Sequence, residues 1–209
     1  MTKRDVIDVL VAAIPEAKRF AHHAAVEIRR IVRSEHAEEA IVDNDTGGIT
    51  FRIKTREAMQ AKLSRRASGY PRGLPINDFI GIRILCLHIG CIPLLERVIY
   101  AWAAQSSLVL ARREDTTRAP REAGYRAVHL DYILEPNIQD KLPRESTIQV
   151  QLESWLQHLH NVLNRHLVYA RDPEKVASTI ARLVDMSAEL HRVDCDLAGE
   201  WRVPLLGFK

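Results

Sequence analysis

Four short stretches place charged or proton-carrying side chains where buried strands are expected. "NDFIGIRILCLH" (77–88) is largely apolar, yet it opens with Asp78 and carries Arg83 in its middle. A guanidinium in a buried strand is costly unless paired, so Arg83 is either a structural ion pair or charge delivered to a site. Side chains alternate between faces along a strand, and in "TFRIK" (50–54) this puts Arg52 and Lys54 together. In "YRAVHLDYIL" (125–134) Val128, Leu130, Tyr132 and Leu134 form an apolar face, and Tyr125, Ala127, His129 and Asp131 the other. In "STIQVQLE" (146–153) Ile148, Val150 and Leu152 oppose Thr147, Gln149, Gln151 and Glu153. Such polar faces meet water in open antiparallel sheets. With helices interleaved, a partly covered face of Arg, Lys, His, Tyr and Asp is better described as a ligand cleft. Asp78 and Arg83 are five residues apart, which strict alternation sends to opposite faces; Gly81 between them predicts a β-bulge that returns both to one cleft.

The elements that must hold these residues follow from the same patterning. With 209 residues, 46% of them hydrophobic, the chain reads as one domain with a substantial core, and disorder as the whole answer is excluded. Lys plus Arg number 30 against 27 Asp plus Glu, a mildly basic balance that favours phosphate-bearing ligands. Cys86, Cys91 and Cys195 are odd in number and fit no zinc spacing, which reads as reduced thiols in a cytoplasmic protein. No apolar stretch of membrane-spanning length and no signal-peptide pattern occurs. Periodicity predicts helix over 4–34 with an interruption at Pro15, then a turn-rich linker ending in "DNDTGG". It further predicts a strand at 49–54, a helix at 55–67, a loop at 67–75 and a helix at 92–105. Strands follow at 107–114, 125–134 and 146–153, then helices at 155–169 and at 173–198, the last opened by Asp172-Pro173. The expected fold is α/β, a mixed sheet of about five strands flanked by helices. Its expected parts are an N-terminal helical extension (1–48), a core (49–171) and a C-terminal helix and tail (172–209).

Four of these blocks, in order, resemble the RelA/SpoT synthetase domain in its short stand-alone form, the small alarmone synthetases. "RIKTREAMQAKL" (52–63) is similar to the family's Arg-x-Lys-Ser segment with its following helix and lysine. "NDFIGIRILC" (77–86) matches its Asp-x-x-Gly-x-Arg strand, and "PREAGYRAVHL" (120–130) its Pro-Lys-x-x-Gly-Tyr-Arg-Ser-x-His segment. "IQVQLES" (148–154), with Tyr169 fifteen residues on, stands where the family has Val-Glu-Ile-Gln-Ile-Arg-Thr. The resemblance implies a nucleotidyltransferase-like synthetase fold with extra terminal helices. It implies transfer of the β,γ-pyrophosphate of ATP to the 3′-hydroxyl of GTP or GDP, giving (p)ppGpp in the stringent response, with Mg2+ as cofactor. Arg52, Lys54, Lys62 and Arg83 would hold ATP phosphates, and Asp78 would bind the metal. Arg121, Tyr125 and His129 would face the acceptor, the tyrosine by stacking on its base. The implied partners are ATP, a guanosine nucleotide and further copies of the chain in a homo-oligomer, with tRNA or an antitoxin as a toxin-like alternative.

The last block departs from the family. A family glutamate falls on Gln149, its arginine on Glu153, and a Glu-His pair on Asn164 and Arg165. A glutamine cannot take up a proton or supply negative charge. Three readings stay open. Glu153, on the same strand face, takes over the carboxylate role; the acceptor is different, an adenosine nucleotide or a tRNA 3′ end; or the chain is a nucleotide-binding regulator without turnover. On sequence alone, Gln149→Glu is expected to raise activity, and a fall would mean that Glu153 or another group has re-centred the site. A nucleic-acid-binding module, resting on Arg112, Arg113, Arg118 and Arg121, is the remaining class.

Overall fold

Alternating apolar and polar residues build five strands at the places the patterning predicts: β1 (Ile49–Ile53), β2 (Ile80–Cys86), β3 (Leu108–Asp115), β4 (Val128–Leu134) and β5 (Thr147–Ser154). The computed structural model describes residues 3–42, 48–65, 76, 78–134, 142–143, 146–168 and 173–200. The predicted 67–75 loop, Tyr169, Asp172 and nearly all of the "DNDTGG" turn lie outside them. The strands form one mixed sheet in the order β1-β2-β5-β4-β3. β2 and β5 are parallel and every other pairing is antiparallel.

Among the described residues six α-helices accompany the sheet: α1 (Lys3–Ala12), α2 (Ile14–Ser34), α3 (Arg56–Arg65), α4 (Ile92–Gln105), α5 (Trp155–Val168) and α6 (Pro173–Glu200). Pro15 sits in the first turn of α2, where its missing N–H has no helical partner to lose, so the helix restarts there. α2 buries Ala17, Ala21, Ala24, Ala25, Ile28, Ile31 and Val32, and the four alanines let it lie close on the sheet. α4 adds Leu95, Val98, Ile99 and Trp102. Facing them are Ile80, Ile82 and Ile84 of β2, Ile148, Val150 and Leu152 of β5, and Val128, Leu130 and Tyr132 of β4, all in one core with α1 and α2. That packing occupies one side of the sheet and leaves the other side polar.

One expectation fails. The register runs without interruption through Gly81, so β2 has no bulge there. Asp78 instead precedes β2, where strand alternation does not bind it. The irregularity lies in β3, between Leu110 and Arg112. That extra residue shifts the parity and brings Arg112 opposite Asp131 and Glu114 opposite His129.

α6 is fastened by polar contacts. The Ser187 hydroxyl donates to the Gly124 carbonyl (2.6 Å) and accepts from Arg126 Nε (3.0 Å). Gly124 has φ +82°, and a Cβ there would stand 2.6 Å from that of Ser187, so only glycine lets α6 approach this turn. Asp194, fully buried, accepts from the Ile89 N–H (2.9 Å) and from the Ser154 hydroxyl. Burial raises the Asp194 carboxyl pKa despite these bonds. A raised carboxyl pKa gives stability that is complete below the unfolded value, about 3.9, and is lost as pH rises through the folded one. Asp194→Asn is therefore expected to melt above the parent at pH 7, with the gap closing toward pH 4 in paired thermal scans. An Asn variant less stable at pH 7 would show that the charge itself is needed.

Candidate active site

The register lays the polar face out as two rows across all five strands. Thr50, Arg83, Gln151, His129 and Glu114 form one; Arg52, Gly81, Gln149, Asp131 and Arg112 form the next. α3 stands at the β1–β2 end of this face and α5 borders it through β5.

At that end the predicted cations converge. Lys54 leaves the end of β1, its N–H bonded to the Phe79 carbonyl (2.9 Å), and its Nζ meets Asp78 Oδ2 at 2.6 Å. Lys62, one turn from the end of α3, bonds the other oxygen, Oδ1. Burial alone would raise the Asp78 carboxyl pKa, but the Lys62 and Lys54 ammoniums outweigh it and hold the pKa below the ordinary value. Arg52 lies across Gly81: a Cβ at 81 would come within 3.2 Å of Arg52 Cγ and 3.3 Å of Nε. This close approach, not a bulge, is the use of the glycine. Burial lowers the Arg52 pKa, and Asp78, Arg165 and Arg83 all act on it, so these charges share one cleft. Gly81→Ala is expected to displace Arg52 and weaken binding of AMPCPP, a non-hydrolysable ATP analogue, by about 3–10-fold, roughly 1 kcal/mol. Calorimetry checks the affinity and a melting curve that the fold is kept; unchanged affinity would remove Arg52 from the nucleotide.

The centre of the face is a directed chain. Arg83 Nη2 donates to Gln151 Oε1 (3.3 Å), Gln151 Nε2 to Gln149 Oε1 (2.9 Å), and Gln149 Nε2 to Asp131 Oδ1 (2.7 Å). Glu153, 1% exposed, holds His158 Nδ1 at 2.9 Å and Arg83 Nε at 3.7 Å. Burial raises its pKa, and the His158 hydrogen bond and Arg83 charge reverse this to a net lowering. Arg83 thus has structural partners and also stands beside Arg52.

Toward β3, Tyr125 Oη and His129 Nε2 are 2.8 Å apart, with their rings edge to face at 5.7 Å. Burial, aided by Arg121, lowers the His129 pKa to about 4, so the imidazole is neutral at pH 7 and can accept the phenol proton. Tyr125 lies ahead of β4, not within it, and Asn161 of α5 fixes the next residue by accepting from the Arg126 N–H (3.4 Å) and donating to its carbonyl (2.9 Å). Arg121 bonds Glu114, which also pairs with Arg112, and Arg113 pairs with Glu96 and Asp115. Three of the four arginines behind the nucleic-acid reading are therefore neutralised by acids.

All ten predicted site residues, Arg52, Lys54, Lys62, Asp78, Arg83, Arg121, Tyr125, His129, Gln149 and Glu153, lie on or bordering this face. Sequence reasoning gave no role to three more, although it set Gln151 and Asp131 on the polar face. Gln151 links Arg83 to Gln149, His158 holds Glu153, and Asp131 receives the Gln149 amide. The period-two spacing of Gln149 and Gln151 was a usable signal for the first; His158 meets Glu153 five residues away at the β5–α5 junction, and Asp131 meets Gln149 across the β4–β5 pairing.

This mixed sheet, with cations gathered around one carboxylate, belongs to a chain of the (p)ppGpp synthetase-like pyrophosphokinase family. The chain belongs to the RelA/SpoT family: residues 51–174 match the family described as the region found in RelA and SpoT proteins. It is of the small alarmone synthetase type. A GTP pyrophosphokinase of Bacillus subtilis, YjbM, is 21% identical over 155 residues, spanning 73% of this chain and 72% of that protein. The crystal structure of small alarmone synthetase 1 from Bacillus subtilis, bound to its product pppGpp, superposes with a TM-score of 0.70 at 18% identity, covering 88% of this chain and 92% of that one. Small alarmone synthetase 2 of the same organism gives 0.67 at 20% identity over 91% and 95%. No helix among the described residues is long and apolar enough to cross a membrane.

Proposed function

We propose that the protein transfers the β,γ-pyrophosphate of ATP to the 3′-hydroxyl of GTP or GDP. The observation that carries this reading is the convergence of Lys54 and Lys62 on the buried Asp78, with Arg52 laid over Gly81 beside them. Phosphoryl-type transfer depends mainly on positioning and on stabilising spread negative charge. Lys54, Lys62, Arg52 and Arg83 would grip the triphosphate, the guanidiniums as planar forks and the ammoniums as point charges. Tyr125 would stack on the acceptor base, its ring oriented by the bond to His129, and Arg121 would meet acceptor phosphate at the rim.

Asp78 would hold magnesium. Its carboxylate is ionised and stands among phosphate-seeking ammoniums, a donor set that fits a hard cation bound jointly with substrate phosphates. Among the described residues no group of three or more His, Cys, Asp or Glu could hold a metal by itself, so the ion would depend on those phosphates. When bound, it would supply charge neutralisation on the triphosphate.

The test is incubation with γ-labelled ATP, magnesium and a panel of GDP, GTP, ADP, ATP and tRNA, resolved by thin-layer chromatography. A labelled 3′-pyrophosphorylated guanosine nucleotide is expected. Product on an adenosine nucleotide or tRNA would move the acceptor assignment. Nucleotide binding with no labelled product would favour a regulator that has lost turnover, the reading that the amide at Gln149 supports.

A further inference from the structure

Tyr125 stands in a turn that two helices hold. The chain closes on itself there: the Gly124 N–H donates to the Arg121 carbonyl and the Arg121 N–H to the Tyr125 carbonyl, each across 3.0 Å. Ala123 has φ +57°, a left-handed conformation unfavourable for a residue with a Cβ, so the turn keeps its shape only while its surroundings hold it. α5 gives Asn164 Nδ2 to the Ala123 carbonyl (3.4 Å) and Asn161 to both main-chain groups of Arg126. α6 gives one hydroxyl. Ser187, 2% exposed, donates to the Gly124 carbonyl (2.6 Å) and accepts from Arg126 Nε (3.0 Å), so it joins the residues on either side of Tyr125. The buried Arg126 guanidinium carries the clamp on to the Thr117 carbonyl, just past β3. At the other end of the side chain the phenol oxygen meets His129. Ser187 lies outside residues 51–174, the part of the chain that matches the family.

We infer that Ser187 is a positioning residue for the acceptor: through its hydroxyl, α6 sets the Tyr125 ring against which the acceptor base stacks. This rests on the reading of Tyr125 as the stacking platform. A stacking ring works only when its face is presented at one place and angle. Two torsions join the Tyr125 ring to the main chain, and its tip is fixed at His129, so the ring follows the main chain at 124–126. That is where Ser187 acts, and an alanine can neither donate to Gly124 nor accept from Arg126. The cations assigned to ATP are placed by β1, α3 and the approach to β2, at the other end of the face. Loss of the hydroxyl therefore falls on the acceptor and spares the donor.

The experiment is a double-mutant cycle of Ser187→Ala and Tyr125→Ala. It reads acceptor KM and kcat in the labelled-ATP assay, and calorimetric Kd for GDP and for ADP in protein saturated with AMPCPP, beside AMPCPP affinity and thermal melting. Ser187→Ala is expected to raise acceptor KM and Kd by about 3–10-fold, with kcat and AMPCPP affinity within about twofold of the parent. In the Y125A background, with no ring left to place, the same change is expected to add less than about twofold. Acceptor affinity unchanged in S187A, equal losses for acceptor and AMPCPP, an S187A effect of the same size with and without the ring, or an S187A chain that does not fold would each overturn the inference and leave the function standing; the last three are the marks of a merely structural serine. A parent that binds GDP or ADP without turnover overturns the function, and the Kd cycle still decides on Ser187. A parent that binds neither overturns both.

Discussion

Asp78→Asn is expected to reduce pyrophosphate transfer by at least about 10³, the upper range for loss of one preorganised charged group. Asp78 is 7% exposed and holds two ammoniums, so the change removes a full negative charge from a cleft of cations. The side chains of Lys54 and Lys62 are 13% and 21% exposed, and they can turn to phosphate once the carboxylate is gone. AMPCPP binding without magnesium should therefore persist or tighten while turnover collapses, a split between binding and kcat that unfolding would not produce. Initial rates with and without added magnesium, set beside calorimetry, decide it; an Asn variant within about tenfold of the parent rate would remove Asp78 from the chemistry. The lysines also make Asp78 a source of stability. With its pKa lowered in the fold, that contribution is present above the unfolded value of about 3.9 and is lost as pH falls through the folded one.

Gln149→Glu, read from sequence as a restoration, is expected on this structure to lower activity. The Gln149 amide donates to Asp131 across 2.7 Å in a region where both residues are buried. A glutamate there replaces that bond with two carboxylates at contact distance, which cannot both ionise, so one keeps its proton and the pair titrates jointly. It also loses the amide that aligns Asp131. The expected loss is about tenfold in kcat, from disruption of the ordered Gln151–Gln149–Asp131 row, together with a lower melting temperature. Steady-state kinetics and melting scans from pH 5 to 8 measure both. A rise in kcat would place the base at position 149 after all and return the site to the family arrangement.

Strand faces were legible in the sequence because period-two alternation is a local property. It separated Val128, Leu130 and Tyr132 from His129 and Asp131 before any fold was known, and the family blocks brought Arg52, Lys54, Lys62, Asp78 and Arg83 into one site. The same locality misled at Gly81. A glycine in a strand signals either a bulge or a close approach of another group, and only the position of Arg52 on the neighbouring strand decides which. The real bulge, between Leu110 and Arg112, carries no glycine and could not be read from composition.

By itself, then, the sequence determined which side chains lie on the polar surface, the α/β class and the family. Tertiary structure alone decided which acid meets which cation. Register between adjacent strands sets Gln149 against Asp131, and docking of α3 sets Lys62 against Asp78. Proton affinity and metal affinity depend on charges within a few ångströms, and those neighbours are fixed by packing across the sheet, which no local pattern encodes.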